Sequence, residues 1–310
     1  MSARRVAVVA LTGILVLIGL VRLGHAYAFL LVEGGQGLPR RWETGRFAGR
    51  RIPWFVTDAP DGRLAGGRTL ADVSAAAFGH WQDLSESAIA FSFRGSVRER
   101  SRDATDGRNL VTFGDARLLG TGVLGVTFVT SDSQGHISDA DIVLSRGVEF
   151  STSPGAVAGR FDVESVLTHE VGHLIGLDHS GLIRATMAPF TDRGDVHQRS
   201  LELDDAIAGG MLYPAGAFPA GRGALVGRVS LGESPVFLSH VVATKIHGRV
   251  VASGYTRPDG TYRIDGLPPN VYLVHAERLD GPVRPANLAA FREGFQRAET
   301  TDYETTFHLR

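Results

Sequence analysis

Cysteine is absent from all 310 residues of the chain. That absence excludes a disulfide framework, a thiolate metal site and a cysteine nucleophile, so a bound metal must take its ligands from His, Asp or Glu. An excess of one charge is missing too, since 32 Lys and Arg stand against 33 Asp and Glu. Nucleic-acid binders normally carry a basic surplus, so no nucleic-acid partner is expected. With 43% hydrophobic and 21% charged residues, the composition is also unlike that of a disordered chain. No internal repeat is visible. The length suits one substantial domain and a smaller one.

An uncharged run opens the chain. Arg4 and Arg5 precede residues 6–21, which hold no charge, and Ala26-Tyr27-Ala28 then supplies the small-x-small pattern of a cleavage site. Residues 1–28 therefore read as a signal peptide or, alternatively, as a membrane anchor, the run being slightly short of the ~20 residues of a typical span. Either way the remainder is expected outside the cytoplasm, secreted or anchored. No cysteine follows the run, which excludes a lipoprotein anchor.

Composition then divides the chain. Residues 29–49 are rich in Gly and Arg and read as a linker. Over residues 50–214, strand patterns at 52–56, 88–93, 109–113, 122–129 and 140–144 mix with helical spacing at 70–84, 162–175 and 201–212. Asp162 suits the N-cap of the second helix. Residues 215–223 form a Pro/Gly linker. Residues 224–280 are short alternating strands without a helical pattern, as in a small all-β sandwich. The tail, 281–310, holds a short helical pattern near 286–297 and a last strand near 303–309, and completing the sandwich is one role open to it.

The chemistry concentrates in His169-Glu170-Val171-Gly172-His173, followed by Gly176 and His179. Residues four apart share a helix face, so His169 and His173 can meet one zinc at about 2.0–2.1 Å. Glu170 reaches a water on that metal without ligating it. Gly176, lacking a Cβ, lets the chain leave the helix sharply and bring His179 back as third ligand. Three protein ligands leave one position open, the arrangement of a catalytic zinc.

This extended motif, with Ser180 after the third histidine, resembles the matrixin family of metzincin zinc peptidases. Ala185-Thr186-Met187-Ala188-Pro189 matches that family's Met-turn, with Met187 beneath the metal. Further segments resemble secreted bacterial matrixins: Asp106-Gly107 before Asn109, Ile137-Ser138-Asp139-Ala140-Asp141-Ile142, and Leu203-Asp204-Asp205. The resemblance implies an α+β fold, a metzincin domain with a twisted, mostly parallel sheet and three helices, followed by the small sandwich. It implies an exported zinc endopeptidase with Glu170 as general base and acid. An extended polypeptide substrate would lie along Leu124, Gly125 and Val126 on an edge strand, with one pocket near Pro189. A monomer is expected. Animal members are held latent by a propeptide cysteine, which this chain lacks. Their histidine-rich structural zinc site has only His136 to match it, so one zinc is expected. Asp132, Asp139 and Asp141 offer oxygen ligands for calcium, with exposed acidic turns as the open alternative.

Gly227-Arg228-Val229, Pro258-Asp259-Gly260-Thr261-Tyr262 and Gly266-Leu267-Pro268-Pro269 resemble a carboxypeptidase regulatory-like sandwich. The scattered His240, His247 and His275 read as solvated strand residues, and binding of a surface or of substrate is a role open to the module. The rival reading of the whole is a surface adhesion protein with a vestigial peptidase domain.

Overall fold

The computed structural model describes residues 28–32, 38–58, 63–104, 106–114, 122–279, 281–288 and the backbone of 306–309. Residues 1–27, with the apolar run and most of the expected cleavage site, lie outside the described residues. Among the described residues no helix is long and apolar enough to cross a membrane.

The first half forms β1 (Ile52–Thr57), β2 (Arg63–Ala65), β3 (Phe91–Val97), β4 (Asn109–Gly114), β5 (Gly125–Ser131), β6 (Ile137–Ser145), β7 (Glu149–Ser151) and β8 (Phe161–Asp162), with β4 and β6 buried almost throughout. Five of these strands form a sheet in the order β3-β1-β4-β6-β5. Pairing is parallel except for β5, which runs antiparallel to β6 at the edge. β5 starts three residues later than its sequence pattern suggests.

Three helices accompany this sheet: α1 (Leu70–Gln82) and α2 (Val163–Leu174) pack on it, and α3 (Leu203–Leu212) packs against residues 250–267 of the second half. All fall within two residues of their expected ends. α1 begins in a reciprocal cap: the Asp72 amide donates to Thr69 Oγ1 at 3.1 Å, and the Thr69 amide donates to Asp72 Oδ2 at 2.9 Å. α2 begins at Asp162, whose side chain accepts from the Ser165 amide at 2.7 Å. Trp81 of α1 is buried and donates its indole N–H to the Thr168 carbonyl at 2.7 Å, tying the two helices together. Leaving that indole N–H without a partner in the core would cost about 1–3 kcal/mol.

Residues 29–49 do not behave as a linker where they are described. Phe29 and Trp42 are 3% and 4% exposed and join the core. Trp42 donates its indole N–H to the Leu174 carbonyl at 2.9 Å, and its amide donates to the Tyr213 hydroxyl at 2.9 Å. Two large aromatics, one of them with an indole N–H to satisfy, outweigh the flexible Gly/Arg composition around them.

The second half comprises β9 (Gly223–Arg228), β10 (Ser230–Leu231), β11 (Ser234–Pro235), β12 (His240–Lys245), β13 (Val250–Tyr255), β14 (Thr261–Leu267), β15 (Tyr272–Glu277) and β16 (Thr306–Leu309). One sheet runs β13-β12-β15-β16, all antiparallel, and β14 pairs with β9. The helical pattern near 286 is a single 3₁₀ turn, Pro285–Asn287, after which residues 289–300 lie outside the described residues. Buried apolar residues of both halves form one continuous cluster. His240 is not solvated: it is 2% exposed, with Nδ1 2.8 Å from Glu277 Oε1, because β12 lies between two other strands.

Candidate metal centre

Helix α2 carries His169, Glu170 and His173 and ends in a Schellman turn. The Leu177 amide donates to the Gly172 carbonyl and the Gly176 amide to the His173 carbonyl, both at 2.9 Å. Gly176 adopts φ +105°, and a Cβ there would lie 2.1 Å from the Arg40 carbonyl oxygen. Only glycine fits, and the reversal it permits returns His179 toward the helix.

The three imidazoles converge. Ring centroids of His169, His173 and His179 are 4.7, 4.7 and 5.2 Å apart, and one ring nitrogen from each lies within 4.8 Å of the others. Among the described residues this is the one such group of metal-ligating side chains. Each ring is oriented by a main-chain carbonyl acting on Nδ1. His169 donates to Thr186 and His173 to Leu177, both at 2.8 Å, and His179 donates to Asn287. A carbonyl only accepts, so Nδ1 carries the proton in each ring and Nε2 presents a bare lone pair.

That arrangement tests the site for zinc. His173 Nε2 and His179 Nε2 stand 3.2 Å apart with no proton between them, a repulsive contact unless a cation lies beyond both lone pairs. Tetrahedral ligands at 2.0–2.1 Å from zinc are separated by about 3.3 Å, so the spacing fits. Burial, reinforced by the neighbouring imidazoles, pushes the His169 pKa down to about 3 and that of His173 well below its ordinary value. Both rings stay neutral, as ligation requires.

Glu170 is 4% exposed, and burial pushes its carboxyl pKa up to about 7 against the opposing bonds from Thr127. Thr127 Oγ1, on β5, lies 2.7 Å from Glu170 Oε2 and 2.9 Å from the Glu170 carbonyl oxygen. The hydroxyl thus fixes one carboxylate oxygen, Oε2.

Below the histidines, Met187 is buried against Gly172, where a Cβ would lie 2.1 Å from its sulfur. A small residue in α2 makes room for the methionine. The turn holding it is fixed by Asp205, which accepts from the Thr186, Met187 and Glu202 amides at 2.8, 3.0 and 2.9 Å. Gln198 donates to the Thr186 and Ala188 carbonyls at 3.2 and 3.0 Å. Neither Thr127 nor Gln198 carried any signal in the sequence.

A cleft of about 670 Å³ runs past the three histidines and Glu170. Leu124, Gly125, Val126 and Pro189, the residues expected to bind substrate, all line it, as do Phe161, Phe190 and Asn287. The calcium expectation fares differently. Asp132 accepts from the amides of Gln134 and His136, each at 2.9 Å, and so caps its own turn. It forms no three-residue ligand group with Asp139 and Asp141. Those two are buried on β6, where Asp141 Oδ1 accepts from the Leu110 amide at 2.9 Å. Burial raises their pKa values to about 6 and about 7, helped by the Asp106 charge. A small cavity joins Asp141 to Asp103 and Asp106.

Comparison with known proteins adds to this geometry. Residues 68–214 match the family model described as matrixin. Metalloendoproteinase 2-MMP of Arabidopsis thaliana is 32% identical over 154 residues, 48% of this chain and 38% of the relative. Metalloendoproteinase 1 of Glycine max is 44% identical over 68 residues, 22% of this chain and 21% of the relative. The chain therefore spans well under half the length of these curated relatives. The matched segment holds all three histidines, Glu170 and Met187, and it is similar to the matrixin family and to parts of these plant metalloendoproteinases.

Proposed function

We propose that the chain, on the premise of its similarity to matrixins, is an exported zinc-dependent endopeptidase with His169, His173 and His179 as metal ligands and Glu170 as general base. The observation that carries this reading is the trio of proton-free Nε2 atoms facing one another beside a buried carboxyl group. A zinc ion held there supplies Lewis acidity, acidifying a water and polarising a peptide carbonyl.

The chain's own groups do the rest. Glu170 Oε1 takes a proton from the attacking water and returns it to the leaving amine, a role suited to a carboxyl group titrating near neutrality. Thr127 holds Oε2 so that the carboxylate keeps one orientation through both transfers. The imidazoles stay fixed through their Nδ1 bonds, so their Nε2 atoms would be held ready for a bound zinc. β5 stands at the sheet edge, and an extended polypeptide adding to it would exchange main-chain hydrogen bonds with Leu124, Gly125 and Val126. Recognition of that kind tolerates many sequences, with choice left to the wall at Pro189 and Phe190.

Residues 1–28 fit export as a cleaved signal or an anchor. Calcium stays a secondary proposal, moved to Asp139 and Asp141 with Asp106 nearby, and calcium-dependent thermal stability tests it. Cleavage of an unstructured polypeptide by the purified chain tests the main reading. Chelation should abolish cleavage and added zinc restore it, whereas undiminished cleavage in chelator would overturn the metal-dependent mechanism. Stoichiometric zinc without any cleavage would favour the adhesion reading instead.

A further inference from the structure

The three ligand histidines are not held alike. His169 and His173 donate Nδ1–H to carbonyls 17 and 4 residues away, inside the segment that carries the motif. His179 donates to the carbonyl of Asn287, 108 residues away in the C-terminal half. The residues just after His179 face the same way. Ser180 Oγ donates to Asp204 Oδ2 at 2.7 Å, and Asp204 Oδ1 accepts from the Ser253 amide of β13 at 2.8 Å. Gly181 lies flush against the buried His240 ring of β12.

From these contacts we infer that the C-terminal module positions the third metal ligand, so that the site is incomplete without it. The inference rests on the zinc reading above and extends it beyond the matrixin segment. Its working part is the turn Pro285–Asn287. Asn287 closes the turn by accepting the Arg284 amide on Oδ1 at 2.8 Å, which sets the direction of its own carbonyl. Leu288, 0% exposed, anchors the turn in a cluster with Leu238 and Tyr255. Tyr255 in turn borders the small cavity shared with His179, Ser180 and Asp204. The chain thus runs from a buried anchor, through a capped turn, to the imidazole. Asn287 is a positioning residue: it touches neither metal nor reacting atoms and acts through His179. Partners of this kind set the tautomer and direction of a ligand, and their loss typically costs about 10–100-fold in metal affinity.

The test uses the full chain and measures zinc affinity by competition with a chelator, alongside kcat and KM for one peptide. Asn287→Ala removes the turn cap without touching the core, and Leu288→Ala removes the anchor. Both should weaken zinc binding about 10–100-fold. At saturating zinc, kcat should fall further than KM rises. Asn287→Asp keeps the capping oxygen and should restore both values. Asn270→Ala, which loses an exposed cap to the Val271 amide elsewhere in the module, should match wild type. Wild-type zinc affinity in both Asn287→Ala and Leu288→Ala, with His169→Ala losing zinc, would overturn this inference and leave the zinc reading intact. Zinc retained by His169→Ala would instead sink the reading on which it rests.

Discussion

Helix α2 and the turn that follows it supply ligands to one site but are secured by different means. At the start of α2, Asp162 pairs with Arg199, and Glu164 binds Arg68 at 2.5 Å and His80 at 3.0 Å. The turn from Gly176 to Met187 has long contacts of this kind, Arg184 to Glu202 at 4.0 Å and His179 to Asp178 at 3.9 Å. It hangs on main-chain groups collected by Asp205, on Ser180 and Asp204, and on the Asn287 carbonyl. The helix can therefore place two ligands by its own periodicity, while the third depends on chain brought from far away. Stability and metal binding should separate along that line.

Removing a ligand from the helix side is the largest perturbation. His169→Ala should weaken zinc binding by more than about 100-fold, beyond the effect of any orienting partner, as read by metal analysis after dialysis against chelator. The turn side is next. Asp205→Ala leaves three amides without their acceptor and should cost about 3 kcal/mol in urea unfolding. A loss below about 1 kcal/mol would show that the Met187 turn is held by packing alone.

The ion network of the helix should respond to acid. Burial alone would raise the Glu164 pKa, but His80, Arg68 and Arg199 outweigh it and lower the value to about 2. A depressed carboxylate stabilises the fold above the unfolded value near 4.5 and loses that contribution as pH falls through about 2. Glu164→Gln should therefore cost about 2 kcal/mol at neutral pH, and the gap to wild type should close toward pH 2. A gap that stays constant down to pH 2 would contradict the ionic account. The smallest effect belongs to Thr127→Val, which frees one Glu170 oxygen while leaving zinc in place. About a tenfold drop in kcat is expected, with zinc affinity unchanged.

The same contrast marks what could be read from the sequence. The positions of His169, Glu170 and His173 follow from helical spacing, and Gly176 announces the reversal that returns His179. The three helices and most strand positions follow from apolar periodicity, while the mostly parallel sheet is implied by the family resemblance. Contacts across long stretches of chain gave no such signal. Thr127 meets Glu170 across 43 residues, and Trp42 meets Leu174 across 132. Trp42 sits in a segment whose Gly and Arg content suggests a linker, and its burial overrides that composition. Asp132 looked like an ion ligand, but a turn satisfies it locally first. His240 looked solvated because alternation alone does not reveal that β12 lies between two other strands.

One measurement bears most directly on the central claim that Glu170 acts on water while the histidines hold metal. Zinc content and peptide hydrolysis should be compared for wild type and Glu170→Gln at matched zinc occupancy. The predicted result is full zinc binding in both, with kcat lowered about 10²–10⁴-fold in the variant. Undiminished hydrolysis by Glu170→Gln, or loss of its zinc, would contradict the assignment of Glu170 as the base.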